Sequence, residues 1–439
     1  MSARKTALDV LIACRKQGAW SNGVLKEYLE RDGLDRRDAA LATRLSYGVV
    51  QNRAKLDDSL SGLLTGKLRD LHPVARDILH LGLYQIDEMD RIPDSAAVNE
   101  SVRLARAYCK GQRHIPGLVN GVLRNAVRTR DSRKQPDSLA IRYSHPQELV
   151  DLLAESVGQD RLESVLAANN GAPDTVIQVN TRKTTARDLM ERLEKEGVSA
   201  RAHGWMPDCL VLSGTGSLEK LSPFREGLFY VQDAAARLCV RCAELPAAPE
   251  IRVLDCCAAP GGKSFAAAME MNGRGTIVSC DVYEHKVRLI RLGAERLGLE
   301  NIRPELQDAS QPRPEWVESM DVVLADVPCS GYGIIRKKPD IRYKDIHETE
   351  KLPELQEKIL LQQAEYVKPG GTLLYSTCTV LRRENEEVVA SFLARRPDFE
   401  RVPLRLPEGF PPNTTGMLTL LPGEYDTDGF FICRMRRKA

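Results

Sequence analysis

No apolar run in this 439-residue chain approaches the about 18 residues that a membrane-spanning helix requires, so no helical span is expected. The opening MSARKTALDVLIACRK carries basic residues but neither a sustained apolar segment nor a small-residue cleavage site. It reads as an amphipathic helix rather than a secretion signal, and a cytoplasmic protein is the expectation. A disulfide framework is missing too: the 11 cysteines are odd in number and irregularly spaced, so most should serve as small buried hydrophobes. Cys239-Val-Arg-Cys242 is the only C-x-x-C; it falls in helical-looking DAAARLCVRCAEL without a second ligand pair, so no metal site is expected. Internal repeats and low-complexity tracts are also absent.

Hydrophobic residues at 42% and charged residues at 28% fit a globular protein, and the length allows two or three domains, each with its own core. The net charge of only +2 hides an asymmetry. Residues 1–130 hold 22 Lys+Arg against 15 Asp+Glu, and the remainder holds 41 against 46. A basic N-terminal end suits a polyanion such as nucleic acid, with solvated helix faces as the plainer explanation.

From Thr6 to about Arg128 apolar residues recur at helical spacing, as in VARDILHLGLYQI, which predicts an all-α domain over 1–130. Polar RTRDSRKQPDS (128–138) has the composition of a linker. Residues 139–235 alternate strand, helix and strand (DTVIQVNTRK, TARDLMERLEKEG, CLVLSG) and read as a small α/β module. Over 236–439 the candidates IRVLDCCA, GTIVSCD, NIRPELQD, MDVVLADVP and GGTLLYST alternate with helical patterns, predicting an α/β domain built on a parallel sheet. Such sheets bind ligands beyond the C-terminal ends of their strands.

LDCCAAPGGKSF (254–265) reads as a strand entering a helix through a small-residue turn. Gly261 and Gly262 let a ligand approach the backbone, and the helix start offers unpaired N–H groups. It is not a phosphate loop, since G-x-x-x-x-G-K-[ST] would need glycine where Cys257 stands, and the G-x-G-x-x-G spacing fails as well. Nucleotide hydrolysis and NAD binding lose weight. Asp281 ends the next strand candidate, where an acid suits ribose hydroxyls, and Asp308 ends the third, where it can accept from an adenine amino group. Either acid alone is an ordinary strand-end cap. In succession, beside a turn suited to a carboxylate, they match S-adenosylmethionine.

Cys329 (VVLADVPCSGYG) and Cys378 (GGTLLYSTCTV) follow the fourth and fifth strand candidates, and Pro328 makes a rigid strand exit. A lone cysteine is usually a buried structural thiol. Two thiols with Asp326 and Lys263 at one sheet edge point instead to chemistry. Methylating a pyrimidine at C5 demands such a set: a thiolate adds at C6, an acid near N3 stabilises the developing charge, and a base removes the C5 proton before sulfur leaves. Lys263 suits either lowering a thiol pKa or orienting the acid. Which thiol attacks is left open by these residues.

With these motifs assembled, the chain resembles the Fmu/Sun (RsmB-type) family of 16S small-subunit ribosomal RNA cytosine-C5 methyltransferases over nearly its full length. ALATRLSYGVVQNRAKLD, LGLYQIDEMDRIPDSAAVNESVRLAR and GLVNGVLRN resemble the family's helical domain, which is similar to the antitermination factor NusB. YSHP (143–146), VNTRK (179–183) and GLFYVQDAAARL (227–238) resemble its middle region. CAAPGGK (257–263), DVPCSGYGIIRKKPDIRY (326–343) and YSTCTVLRRENEEVV (375–389) resemble its catalytic motifs. The resemblance implies a NusB-like RNA-binding domain, a small α/β middle module and a Rossmann-like methyltransferase domain. It implies that Cys257, Ala258, Ala259, Pro260, Gly261, Gly262, Lys263, Asp281, Asp308 and Asp326 surround S-adenosylmethionine. Cys378 would be the nucleophile, Cys329 would assist release of the methylated RNA, and Asp326 and Lys263 would orient the cytosine. The expected partner is small-subunit ribosomal RNA, with no membrane or metal and a monomeric chain. Departures are SHPQELV, where the family often has tryptophan, and CSGYG, where Ser-Gly-Thr-Gly or Ser-Ala-Thr-Gly is commoner. The same chemistry on transfer RNA is the alternative, and a non-catalytic RNA-binding assembly factor is disfavoured by the intact thiols, Asp326 and Lys263.

Overall fold

A computed structural model describes residues 2–17, 22–133 and 136–439, so Lys134 and Gln135 of the stretch read as a linker lie outside it. The chain forms two compact units, Met1–Leu152 with Lys338–Lys344, and Leu153–Lys337 with Asp345–Ala439. Among the described residues no helix is long and apolar enough to cross a membrane.

The first unit is helical. Pro73 occupies the first turn of helix Pro73–Glu88, where its missing N–H costs nothing, and the run from Ile78 to Ile86 is buried throughout. Around it pack Arg36–Gln51, Asp94–Tyr108 and Ile115–Thr129, each turning an apolar stripe inward: Leu45 and Val49, Val98 and Ala105, Val119 and Leu123. Asp35 caps Arg36–Gln51 by accepting the Asp38 N–H. The segment Lys338–Lys344, from one of the motifs quoted above, completes this unit. Arg342 is fully buried there and donates to the carbonyls of Gln51 and Ser144, and burial lowers its guanidinium to about 10.

The second unit holds two sheets. Strands β1 (Thr175–Val179), β2 (Ser199–Ala202), β3 (Cys209–Ser213) and β4 (Phe229–Val231) form an antiparallel sheet in the order β2-β3-β1-β4. Leu189 and Leu193 of helix Ala186–Lys195 cover its Ile177, Leu210 and Phe229. The larger sheet contains β5 (Arg252–Asp255), β6 (Thr276–Asp281), β7 (Ile302–Leu306), β8 (Met320–Asp326), β9 (Val367–Thr377), β10 (Phe399–Arg401), β11 (Met417–Leu420) and β12 (Phe430–Arg437). Its order is β10-β12-β9-β8-β5-β6-β7, with β11 on β12; β5 to β9 run parallel and β10 to β12 pair antiparallel. All five strand candidates of the sequence are present.

The central strands are buried on both faces, successive side chains pointing to opposite sides of the sheet. Val253, Val322, Leu324, Leu374 and Ile432 enter one core, and Leu254, Val323, Ala325, Leu373 and Phe431 the other. After β5 the chain adds β6 and β7 on one side and then returns to place β8 and β9 on the other. The crevice beyond the ends of β5 and β8 is therefore the topological switch point, where α/β sheets of this kind bind ligands.

Candidate active site

At the switch point β5 ends in the fully buried Asp255, and Cys256–Gly261 turn the chain into helix Gly262–Glu270. The Ala258 N–H donates to the Cys280 carbonyl at 2.7 Å, laying the turn across β6. Gly261 has φ +114, and a Cβ there would overlap the Phe265 ring, so this close cradle requires glycine. Below it, Ser279 Oγ donates to Ser264 Oγ and Ser264 Oγ donates to Asp255 Oδ2, each at 2.7 Å.

Burial raises the Asp255 carboxyl to about 7, against the Ser264 hydrogen bond. An acid whose folded pKa exceeds its unfolded value, about 4, adds stability at low pH and loses that contribution as pH rises through the folded value. Wild-type protein should therefore lose thermal stability from about pH 4 to about pH 7 relative to Asp255→Asn. Parallel melts across that window check this; equal slopes would refute it.

Asp281 closes β6 and accepts the Tyr283 N–H at 3.1 Å; Asp308 follows β7 and accepts the Ser310 N–H at 2.8 Å. Each acid thus also shapes its own strand-end turn. Lys263, on the first turn of Gly262–Glu270, reaches Asp326 at the end of β8, with Nζ 2.5 Å from Oδ2. Ser376 Oγ of β9 donates 2.7 Å to the other oxygen, Oδ1. Burial opposes the Lys263 charge, but Asp326 and then Cys239 outweigh it and hold the ammonium above its usual range. Of the two roles considered for Lys263, this contact is the one with the acid. The Phe430 ring of β12 lies 5.1 Å from Nζ.

Cys329 and Cys378 lie beyond β8 and β9, half-buried, with sulfurs 3.2 Å apart. The Cys329 thiol is pushed well above its usual range by the hydrogen bond to Cys378, then by burial, with the Glu384 and Asp326 charges adding to the effect. Asn385 holds the Cys378 turn from both sides: the Thr377 hydroxyl donates to its Oδ1 at 2.6 Å, and its Nδ2 donates to the Thr379 carbonyl at 3.0 Å. By contrast, Cys239 and Cys242 of the lone C-x-x-C are buried in helix Ala234–Cys242, where burial raises Cys239 to about 12. Among the described residues, no group of three or more His, Cys, Asp or Glu side chains is placed to hold a metal ion.

Three segments cross at the thiols. The Gly333 N–H donates to the Cys378 carbonyl at 3.0 Å and the Gly429 N–H to the Gly333 carbonyl at 2.8 Å. A Cβ on Gly333 would overlap the Gly429 carbonyl, so the approach depends on glycine. Beside the crossing, Asp428 pairs with Arg336 and Lys337, and Lys337 also pairs with Asp233, the cap of Ala234–Cys242. Gly333→Ala should cost about 1–3 kcal/mol of overpacking and lower activity, whereas Gly62→Ala, with open space around it, should do neither. Thermal melts and activity assays of both variants test this.

Sequence reasoning passed over Ser376, Phe430, Asp255 and the Asp428 cluster. Ser376 stands inside a quoted motif, YSTCTVLRRENEEVV, but its partner is set by the pairing of β8 with β9. Phe430 carries no local signal; β12 brings it in from more than 160 residues beyond Lys263.

Residues 243–436 match the model for the 16S rRNA methyltransferase RsmB/F, residues 1–128 the NusB family, and residues 145–219 the RsmF/B-like ferredoxin-like domain. A probable ribosomal RNA small subunit methyltransferase B of Bacillus subtilis (strain 168) is 38% identical over 448 residues, covering 100% of this chain and 99% of that protein. The chain belongs to the RsmB/F methyltransferase family. The ribosomal RNA small subunit methyltransferase B of Vibrio cholerae is 36% identical over 407 residues, covering 92% of this chain and 90% of its own length. Among solved structures, PH0851 superposes with a TM-score of 0.82 over 98% of both chains at 24% identity, a likeness of fold. A methyltransferase homolog from Pyrococcus horikoshii gives 0.58 at 28% identity, over 68% of this chain and 97% of its own. An RsmB/F enzyme therefore has a NusB helical domain, a small middle domain and a methyltransferase domain, as the motifs implied.

Proposed function

We propose that this RsmB/F methyltransferase acts on C5 of a cytosine in small-subunit ribosomal RNA by covalent catalysis through Cys378, with S-adenosylmethionine as methyl donor. The observation that carries this reading is the contact of two thiols 3.2 Å apart at the sheet edge where Lys263 pairs with Asp326. The glycine cradle after β5 would hold the donor's amino-acid end, and Asp281 and Asp308 would take its ribose and adenine. Bound there, the donor supplies an electrophilic methyl group.

Cys378, as thiolate, gives an electron pair to C6 of the cytosine. The C5–C6 π pair becomes available at C5, and Asp326, held by Lys263 and Ser376, orients the ring near N3. Once C5 carries the methyl group, loss of its proton re-forms the C5–C6 double bond and expels Cys378 as thiolate. Cys329 serves this release: the hydrogen bond to Cys378 that chiefly raises its thiol is lost once Cys378 is bonded to C6, so Cys329 gives its proton to solvent and its thiolate then takes the C5 proton, returning to the thiol. The target is an exposed loop base, because chemistry on a ring requires the base to leave its stack. The basic helical domain is the surface for the surrounding RNA.

Incubation with labelled S-adenosylmethionine and naked small-subunit RNA, followed by mapping of 5-methylcytosine, tests the reading. Product confined to transfer RNA would redirect the substrate assignment. No methyl incorporation into any RNA would sink it.

A further inference from the structure

The peptide units on either side of Cys329 are held by a buried ring of hydrogen bonds for which the reaction above has no stated use. Gln356 Nε2, on helix Leu352–Ala364, donates 2.9 Å to the Pro328 carbonyl and 2.9 Å to Glu384 Oε2. The same Glu384 oxygen accepts the Ser330 N–H at 2.9 Å. Both side chains are 0% exposed. Glu384 belongs to the 3-10 turn Arg382–Glu384 that follows Cys378, and the Tyr375 hydroxyl of β9 donates 2.6 Å to its carbonyl. The residues just after the two thiols are joined as well, Ser330 Oγ donating 2.9 Å to Thr379 Oγ1.

Glu384 Oε1 is buried and has no hydrogen-bond partner among the described residues. An acid placed in this way is held for its other oxygen alone, because a buried carboxylate is costly unless its contacts are required. Those contacts all concern the backbone around Cys329. We propose that Glu384, together with Gln356, is a positioning residue for Cys329: the ring fixes the release thiol against Cys378 through the backbone on both sides of it. The inference rests on the two-thiol reading above. It assigns to the ring the release of RNA from Cys378 and leaves the attack on C6 to Cys378 and the Lys263–Asp326 pair.

The test uses the full chain, S-adenosylmethionine and naked small-subunit RNA, with three readouts: steady-state methyl incorporation, protein–RNA adduct on denaturing gels, and the KM for S-adenosylmethionine. Glu384→Ala should lower turnover on the order of 10²-fold, the loss expected when a reacting group is displaced by about 1 Å. It should accumulate adduct with an unchanged KM. Glu384→Gln keeps an acceptor for Ser330 and Gln356, so turnover should return to within about threefold of wild type. A merely structural role would lower soluble protein without trapping RNA. If Glu384→Ala does not fold, Gln356→Met opens the same ring in a near-isosteric way and must still accumulate adduct.

Turnover lost without adduct, turnover unchanged, or Glu384→Gln as impaired as Glu384→Ala would each overturn the proposal. Cys329→Ala run alongside separates the two levels. If it traps RNA and the ring variants do not, only the ring fails; if it traps nothing, the two-thiol reading fails with it.

Discussion

Replacing Cys378 by alanine should abolish methyl transfer, with incorporation from labelled S-adenosylmethionine falling by more than about 10³-fold, as when a covalent nucleophile is removed. The magnitude follows from the substrate. C5 of a free cytosine is too weak a nucleophile to take a methyl group, and addition of sulfur at C6 is what makes it reactive. No neighbouring group can substitute: Asp326 is engaged by Lys263 and Ser376, and the Cys329 thiol holds its proton tightly. The variant should still fold, since a half-buried thiol loses one sulfur and Asn385 still pins the turn. Unchanged melting beside absent incorporation is the expected pair of results. RNA containing 5-fluorocytosine gives a second readout, because fluorine at C5 cannot leave as a proton does. Wild type should form a stable adduct with it, and Cys378→Ala should form none. An adduct trapped by Cys378→Ala would reverse the assignment of the two thiols.

The strand ends were the legible part of this molecule. VVLADVPC and GGTLLYSTC each end an apolar run in reactive side chains, and a parallel sheet gathers such ends at one edge whatever the order of its strands. That suffices to bring Lys263, Asp326, Cys329 and Cys378 to one edge in expectation, and the structure places Lys263 against Asp326 and Cys329 against Cys378. Strand order is set by long-range packing and has no local signature. Ser376 as a partner for Asp326, Phe430 above Lys263, and the Gly333–Gly429 crossing all depend on β9 lying beside β8 and on β12 lying beside β9. Glu384, inside the quoted motif YSTCTVLRRENEEVV, and Gln356 are polar residues for which exposure is the ordinary expectation, yet both are buried. Arg342 is similar: a cation in a quoted motif proved to be a buried donor to carbonyls of the helical unit.

Cys329→Ala should behave differently from Cys378→Ala, and the difference discriminates between the thiols. Attack on C6 needs Cys378 and the oriented ring, neither of which is lost, so a first methyl group should still transfer. Removal of the C5 proton is then slowed, and the intermediate, already methylated, remains bonded to Cys378. Rapid-quench experiments should show incorporation approaching one methyl per enzyme, followed by turnover on the order of 10²-fold to 10⁴-fold below wild type, the range supplied by a positioned general base. The trapped species should appear on denaturing gels with unmodified RNA, without any fluorinated base. It should vanish in the double variant Cys329→Ala/Cys378→Ala, because only Cys378 can form the bond. The effect should also depend on pH with a clear sign. As pH rises, hydroxide becomes a better substitute for the missing base, so adduct should decay faster in alkaline solution. Adduct that persists equally at all pH values would mean that Cys329 acts on the departing RNA by some route other than taking the C5 proton.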